Sequence, residues 1–262
     1  MKKFFAFCGA LALVGLVQTG ASAAEQAAKQ SGVYVAPKFV YGYTVMDKLK
    51  AGMDVNVPNQ GGSIAVGSTS DSDNDDVFGG ALAVGYDFSK RFDVPLRAEL
   101  EYSILSQAKS GVTEEVKMSG PNALLSLDQE LDIQTLFANV YYDINTGTRI
   151  TPYVGAGIGM AFIDAQSDLS VTPTWGSGAS LDVDSGTKSN TNFAWNVGAG
   201  AGVALTDNLS VDLGYRFAYL GEAKSDTITL TDTPAAGASV DISSKTENLY
   251  MHQVLLGLRY TF

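Results

Sequence analysis

The sequence predicts an eight-stranded antiparallel up-and-down transmembrane β-barrel behind a cleavable signal peptide. Three observations predict this fold: a leader typical of exported proteins, eight segments with two-residue alternation, and connections that are alternately long and short. No apolar stretch long enough for a transmembrane helix, about 18 residues, follows the leader. Strands are therefore the elements expected to cross the bilayer.

The N-terminus has the three parts of a secretory signal. Two lysines precede an apolar run and the small-residue triplet Ala21-Ser22-Ala23, which predicts cleavage before Ala24. The domain interpretation is a signal peptide at 1–23, a short N-terminal segment at 24–31 and a barrel domain at 32–262. The single cysteine, Cys8, lies inside the leader, so the mature chain forms no disulfide.

Eight segments alternate apolar or aromatic residues with small or polar ones, and clusters of Gly, Ser, Asn and Asp separate them. This pattern predicts strands at 32–45, 77–88, 94–106, 131–144, 151–163, 192–205, 209–221 and 248–262.

The connections between these segments differ in length in a regular way. Four long connections alternate with short ones, and the long ones are 47–76, 107–130, 164–189 and 222–247. Long loops at one end and tight turns at the other are typical of an up-and-down barrel with one decorated rim.

The alternation predicts which face each strand turns to lipid. In the seventh segment Leu213, Tyr215 and Phe217 share one parity, whereas Asp212 and Arg216 share the other. Because eight strands enclose too little space for so many large side chains, the apolar parity should face lipid. The lumen should then be lined by Gly, Ala and polar residues.

The fourth segment does not fit one parity. Leu131 and Ile133 favour one face, whereas Leu136, Val140 and Tyr142 favour the other. A β-bulge would reconcile the two halves.

At three places the sequence resembles the opacity-type and OmpA-like eight-stranded outer-membrane barrels, a family of porin-like surface antigens. The resemblance lies in TPYVGAGIGMAF (151–162), ANVYYDI (138–144) and the final LGLRYTF. It implies a multi-pass protein of a Gram-negative outer membrane, with periplasmic termini, variable external loops and no catalytic residue. The terminal aromatic strand resembles the assembly signal read by the barrel-assembly machinery, with Tyr260 and Phe262 as its residues. Outer-membrane lipid and lipopolysaccharide are its implied surroundings.

The inward parity carries charges of both signs in equal number. Unpaired charges in a narrow lumen are costly, so we expect a network of ion pairs that plugs the barrel, and the alternative is an ion path or a gate. The residues of this network are Lys38, Asp87, Arg97, Glu99, Glu101, Asp212, Arg216 and Arg259.

No pattern predicts catalysis, a metal or a cofactor. His252 is the only histidine. One class of barrels that deacylate lipid uses a His followed two residues later by a Ser, but the residue at that position here is Val254. The acidic run at 71–76 lacks the Gly and Glu of a calcium loop, which favours a solvated loop. The glycine runs open no helix, so they predict no phosphate site.

Acidic charge is concentrated in the long connections. Without the leader the chain has 15 basic and 28 acidic residues, a net charge of −13, and the four long connections carry −12 of it. Such a balance excludes nucleic acid as a partner. We expect a non-enzymatic surface protein that stabilises the membrane and presents acidic loops to a host or environmental ligand. The alternative is a narrow porin-like channel for ions or small solutes.

Overall fold

The computed structural model describes residues 32–56, 63–70, 73–116, 123–173, 181–224, 228–230 and 239–262. The predicted signal peptide and the segment 24–31 lie outside the described residues. The strands are β1 (Val33–Asn56), β2 (Ser63–Ser70), β3 (Asp73–Asp87), β4 (Leu96–Leu105), β5 (Ala108–Val116), β6 (Ala123–Asp143), β7 (Ile150–Pro173), β8 (Leu181–Ala204), β9 (Leu209–Lys224), β10 (Ile228–Leu230) and β11 (Ser239–Thr261). One short helix, α1 (Ser89–Phe92), interrupts them. No helix within the described part of the chain is long and apolar enough to cross a membrane.

Eight of these strands close into a barrel in which all neighbours are antiparallel. The order around the wall is β1, β3, β4, β6, β7, β8, β9 and β11, and β11 pairs back onto β1. The strands β2, β5 and β10 continue β3, β4 and β9 beyond the barrel, where they pair with β1, β6 and β11 respectively. The predicted eight-stranded closed barrel is confirmed.

The outer face carries the predicted apolar parity. On β9, Leu213 and Tyr215 are half-exposed, whereas Asp212, Arg216 and their parity are buried in the lumen. The same holds on β11, where Leu256, Leu258 and Tyr260 point outward. Large apolar side chains form an exposed belt around the whole wall. Because contact between such a belt and water is unfavourable, the belt requires an apolar surrounding.

The long connections are largely strands, which corrects the expectation that they are loops. The ladder of β6 and β7 runs on to the pair Ala123 and Pro173, and that of β1 and β11 runs on to Asn56 and Ser239. These connections are rich in Ser, Thr, Asp and Gly, a composition that is typical of loops. We call this end of the barrel the hairpin end and the other the short-turn end.

The extensions make the strands far longer than a bilayer requires. At about 3.3 Å per residue and a tilt of about 40°, the 24 residues of β7 rise about 60 Å. The apolar band of a transmembrane barrel is only about 25 Å tall. More than half of β7 therefore lies outside the band.

Strand β6 contains no bulge, contrary to the one proposed to reconcile its two halves. Its pairing with β7 is continuous from Ala123 to Asp143. Leu131 and Ile133 simply point inward and are fully buried, while Val140 and Tyr142 point outward. The sequence was ambiguous because the lumen is apolar at this level.

Candidate functional site

The short-turn half of the lumen contains an ion-pair network centred on Glu101. Its Oε2 lies 2.6 Å from Lys38 Nζ, and its Oε1 accepts a hydrogen bond of 2.6 Å from Arg216 Nη1. Lys38 also contacts Glu99 Oε1 at 2.5 Å, and Arg216 Nε donates to Gln253 Oε1 at 2.6 Å. Five side chains from four strands are thus tied across the lumen.

Two further ion pairs complete the network near the short turns. Arg97 binds Asp143 in a fork, with Nε to Oδ2 at 2.7 Å and Nη2 to Oδ1 at 2.8 Å. Arg259 Nη2 donates to Asp212 Oδ1 at 3.3 Å. Fork geometry uses both carboxylate oxygens and fixes the orientation of the side chains.

Seven of the eight predicted charged residues take part in these pairs, and Asp87 differs. Its Oδ1 accepts hydrogen bonds from the backbone N–H and the hydroxyl of Ser89, at 2.9 and 2.6 Å, and so caps the turn into α1. Arg97 pairs with Asp143, an acid that was not among the eight predicted residues. Sequence reasoning missed it, although it has the same parity as the inward-facing Phe137 and Asn139.

Tyrosines pack against the network, and the glycine runs make room for them. Tyr34 donates its hydroxyl to Glu99 at 3.0 Å, and the rings of Tyr141 and Tyr153 lie within 5.0 Å of the Arg97 guanidinium. A Cβ at Gly200 or Gly214 would lie 2.5 or 2.6 Å from the Tyr153 hydroxyl oxygen. The glycines on the inward parity of β8 and β9 are therefore required by a lumen filled with aromatic rings.

The hairpin half of the lumen is apolar, which corrects the expectation of Gly, Ala and polar residues throughout. Its apolar side chains are fully or nearly fully buried and form one cluster, whose large members are Val40, Met46, Val77, Leu105, Leu131, Ile133, Phe137, Ile163, Leu220, Leu249, Met251 and Leu255. A few buried hydroxyl side chains, those of Thr44, Ser103, Thr135 and Thr246, lie among them. The Arg216 guanidinium lies 5.3 Å from the ring centre of Phe137, where the two halves meet. An apolar layer therefore lies between the ion pairs and the hairpin end.

A small polar cavity remains in the short-turn half. Its volume is about 40 Å³, and Lys38, Asn196, Asp212 and Arg216 are among the residues that line it. Within the described residues, the buried Arg216 Nη2 has no hydrogen-bond partner. A polar cavity of this size has room for a few water molecules, which would satisfy such a donor. It has no room for a hydrated solute.

At the hairpin end, Glu222 lies between two lysines. Its Oε2 is 3.0 Å from Lys224 Nζ and 3.2 Å from Lys245 Nζ. Hydrogen bonds from Lys224 and Lys245 lower the pKa of Glu222. Likewise, the hydrogen bond to Glu130 raises the pKa of Lys109. These pairs are solvated and contribute little to stability.

His252 and the acidic run at 71–76 were the other residues considered for chemistry. His252 lies on the outer face, where its Nδ1 is 2.6 Å from the Tyr215 hydroxyl and its ring packs on Phe217. Asp73 to Asp76 belong to strand β3 and not to a loop, whereas residues 71 and 72 lie outside the described residues. Asp76 is exposed, as predicted for a solvated segment, and accepts a hydrogen bond from the Tyr41 hydroxyl at 2.9 Å. In the described ranges no group of three or more His, Cys, Asp or Glu side chains could hold a metal ion.

The two residues of the predicted assembly signal lie where the barrel closes. Tyr260 pairs with Val35, and the Phe262 N–H donates to the Val33 carbonyl at 2.9 Å. The two rings meet edge to face at 5.1 Å. Their role as an assembly signal stays a prediction.

A closed antiparallel barrel with an apolar belt and a plugged lumen defines the class of outer-membrane β-barrel proteins. The family described as "Outer membrane protein beta-barrel domain" matches residues 9–262. The chain belongs to this family, and its place is the outer membrane of a Gram-negative bacterium.

The chain is also similar to several individual proteins. Outer membrane protein PagN of Salmonella typhimurium is 28% identical over the full length of both chains. A protein of Rickettsia canadensis provisionally named an adhesin is 29% identical over 56% of this chain and 61% of its own. Among solved structures, Neisserial surface protein A matches with a TM-score of 0.42 and 19% identity, over 88% of this chain and 98% of its own.

Proposed function

We propose that this outer-membrane surface protein is a non-enzymatic adhesion or recognition protein that presents its hairpin end outside the cell. The observation that carries the proposal is the extension of the strands well beyond the apolar band. A barrel that served only as an anchor in the bilayer would not need these strand extensions. The name of the Rickettsia relative supports adhesion. With the hairpin end outside the cell, the termini at the short-turn end would be periplasmic.

The extension is built to hold its shape. Above the level of Leu131 the ladder of β6 and β7 continues for eight further residue pairs, from Glu130 with Gln166 to Ala123 with Pro173. Each pair adds backbone hydrogen bonds, so a partner meets a preformed surface and loses little entropy on binding. Its acidic character favours a partner with positive charge.

The filled lumen supports this proposal over the channel that was the alternative. Apolar side chains fill the hairpin half and paired charges fill the other half. Eight strands leave space for side chains and little more. The packed ion pairs would instead stiffen the barrel and so stabilise the membrane segment.

Adhesion of cells that display the protein tests the proposal. A non-adherent Gram-negative host expressing the full chain should bind epithelial cells more than the host alone. A variant that lacks residues 170–182, which removes the β7–β8 hairpin beyond the pair Leu169 and Val183, should lose part of that binding while its barrel still assembles. Adhesion no greater than that of the host alone would refute the proposal.

A further inference from the structure

The wall separates into two leaves at the hairpin end. The β3–β4 ladder stops at Gly79 and Leu105, and the β8–β9 ladder stops at Trp195 and Tyr219. The other ladders run on. They leave one four-stranded leaf of β2, β1, β11 and β10 and another of β5, β6, β7 and β8. Two seams therefore lie on opposite sides of the barrel, each bordered by strand edges.

Asparagine side chains occupy the seam between β8 and β9. Asn192 Nδ2 donates to the carbonyls of Leu220 and Glu222, at 3.1 and 2.6 Å, and Asn190 Nδ2 donates to that of Lys224 at 2.9 Å. Gly221, with φ of +89°, lets β9 bulge at this point. The side chains replace missing backbone donors for three carbonyls, so this edge of β9 offers fewer free acceptors to a further strand.

Side chains form hydrogen bonds across the seam between β3 and β5 only at its start, as far as Lys109. Ser106 exchanges hydrogen bonds with the backbone of Phe78, and Asp75 Oδ2 accepts the Lys109 N–H at 2.6 Å. Beyond Lys109, β5 continues to Val116 and, among the described residues, pairs with β6 alone. Since the Lys109 N–H points into the seam, strand alternation directs the N–H groups of Gly111, Thr113 and Glu115 the same way.

We propose that the seam-facing edge of β5 binds an extended, cationic polypeptide segment by β-strand addition. A row of backbone donors and acceptors on an edge strand is a template for one more strand. The charge of −12 on the long connections selects a segment that carries Lys or Arg. The inference rests on the proposed recognition function and names its site and the chemistry of its partner.

A peptide of alternating Lys and Val, labelled with fluorescein, tests the site on protein folded in nanodiscs. The double variant Thr113→Pro/Glu115→Pro removes two edge N–H groups but leaves the β6 ladder, because these groups face away from β6. The matched variant Thr113→Ala/Glu115→Ala has the same charge and keeps both donors. We expect the proline variant to bind the peptide roughly tenfold or more weakly than the alanine variant.

Two outcomes would overturn the site. One is equal affinity of the proline and alanine variants, each checked for folding by circular dichroism and heat-dependent gel mobility. The other is equal affinity for the peptide and for a copy N-methylated at alternate residues, which cannot form the ladder. Binding would then depend on charge alone.

The adhesion assay separates failure of the site from failure of the proposed function. If cells displaying the wild-type protein adhere but the peptide binds both variants equally, the β5 edge is wrong and the recognition function stands. If those cells adhere no better than the host, the recognition function itself fails.

Discussion

Arg216 and Glu101, which are 115 positions apart in the chain, meet in the middle of the lumen with Nη1 and Oε1 2.6 Å apart. Lys38 reaches the other oxygen of the same carboxylate, and both acidic oxygens are therefore used. The full burial of Glu101 makes this carboxylate the residue on which the polar half of the barrel depends.

Replacement of Glu101 by Gln should destabilise the barrel strongly. The change leaves Arg216 buried with one charged partner fewer, and loss of one member of a buried pair costs about 3–5 kcal/mol. Urea unfolding in lipid vesicles measures the free energy of unfolding. Lys109→Gln, at the solvated pair with Glu130, is the matched control and should have little effect. Similar losses from both variants would contradict the central role of Glu101.

The folded protein should be electrically silent in a planar bilayer, because an apolar layer lies above the ion pairs. Arg216→Ala/Arg259→Ala should also be silent, since it leaves the layer of Leu131, Ile133 and Met251 intact. Serine at these last three positions should admit water and give discrete openings. Reproducible openings of the folded wild type would revive the channel hypothesis.

Asn192→Ala should loosen the seam between β8 and β9. The carbonyls of Leu220 and Glu222 would lose their donor, and the loss of such a part-buried hydrogen bond costs about 0.5–1.5 kcal/mol. Amide hydrogen exchange should become faster in the hairpin end of β9. Thr191→Ala, at an exposed neighbouring position, should leave exchange unchanged. Equal protection of the amides in both variants would contradict a stabilising role for the Asn192 hydrogen bonds.

Glu222 should titrate below an ordinary glutamate, because Lys224 and Lys245 stabilise its charged form. Since the folded pKa is depressed, this contribution to stability is present above the unfolded pKa and is lost as the pH falls through the folded pKa. Carbon NMR of the side-chain carboxyl measures the value. The Lys224→Gln/Lys245→Gln variant should raise it, and an unchanged pKa would exclude the lysines as its cause.

Phe262→Ala should lower the amount of assembled protein in the outer membrane if Tyr260 and Phe262 form an assembly signal. The backbone hydrogen bond to Val33 would remain, so stability after folding should change little. The heat-dependent gel shift of membrane fractions measures assembly in cells, and refolding in detergent is the control. A normal level in cells would contradict the signal.

The sequence was sufficient to predict the number of strands and the outward parity of most of them. On β9, Leu213 and Tyr215 alternate with Asp212 and Arg216. When a bilayer surrounds the wall, only one orientation of the strand places the apolar pair against lipid and the charged pair in the lumen. Parity alone also placed seven of the charged residues of the lumen network on the inner face, because charge is excluded from the lipid side.

Two features could not be predicted, for physical reasons. Leu131 and Ile133 are apolar and face inward, and alternation cannot distinguish lipid from a packed lumen as the apolar surrounding. The strand extensions are rich in Ser, Thr, Asp and Gly, and this composition indicated loops. The pairing of Arg97 with Asp143, and not with Asp87, depends on side-chain reach across neighbouring strands, which parity does not encode.

The ladder between β1 and β11 determines when the barrel can close. Tyr34 pairs with Thr261, so β1 needs a partner strand that is made much later in the chain. The wall cannot close before β11 is available, and contacts so distant along the chain form slowly. A chain truncated before β11 would leave one edge of β1 and one edge of β9 without their partner strands, so the wall could not close.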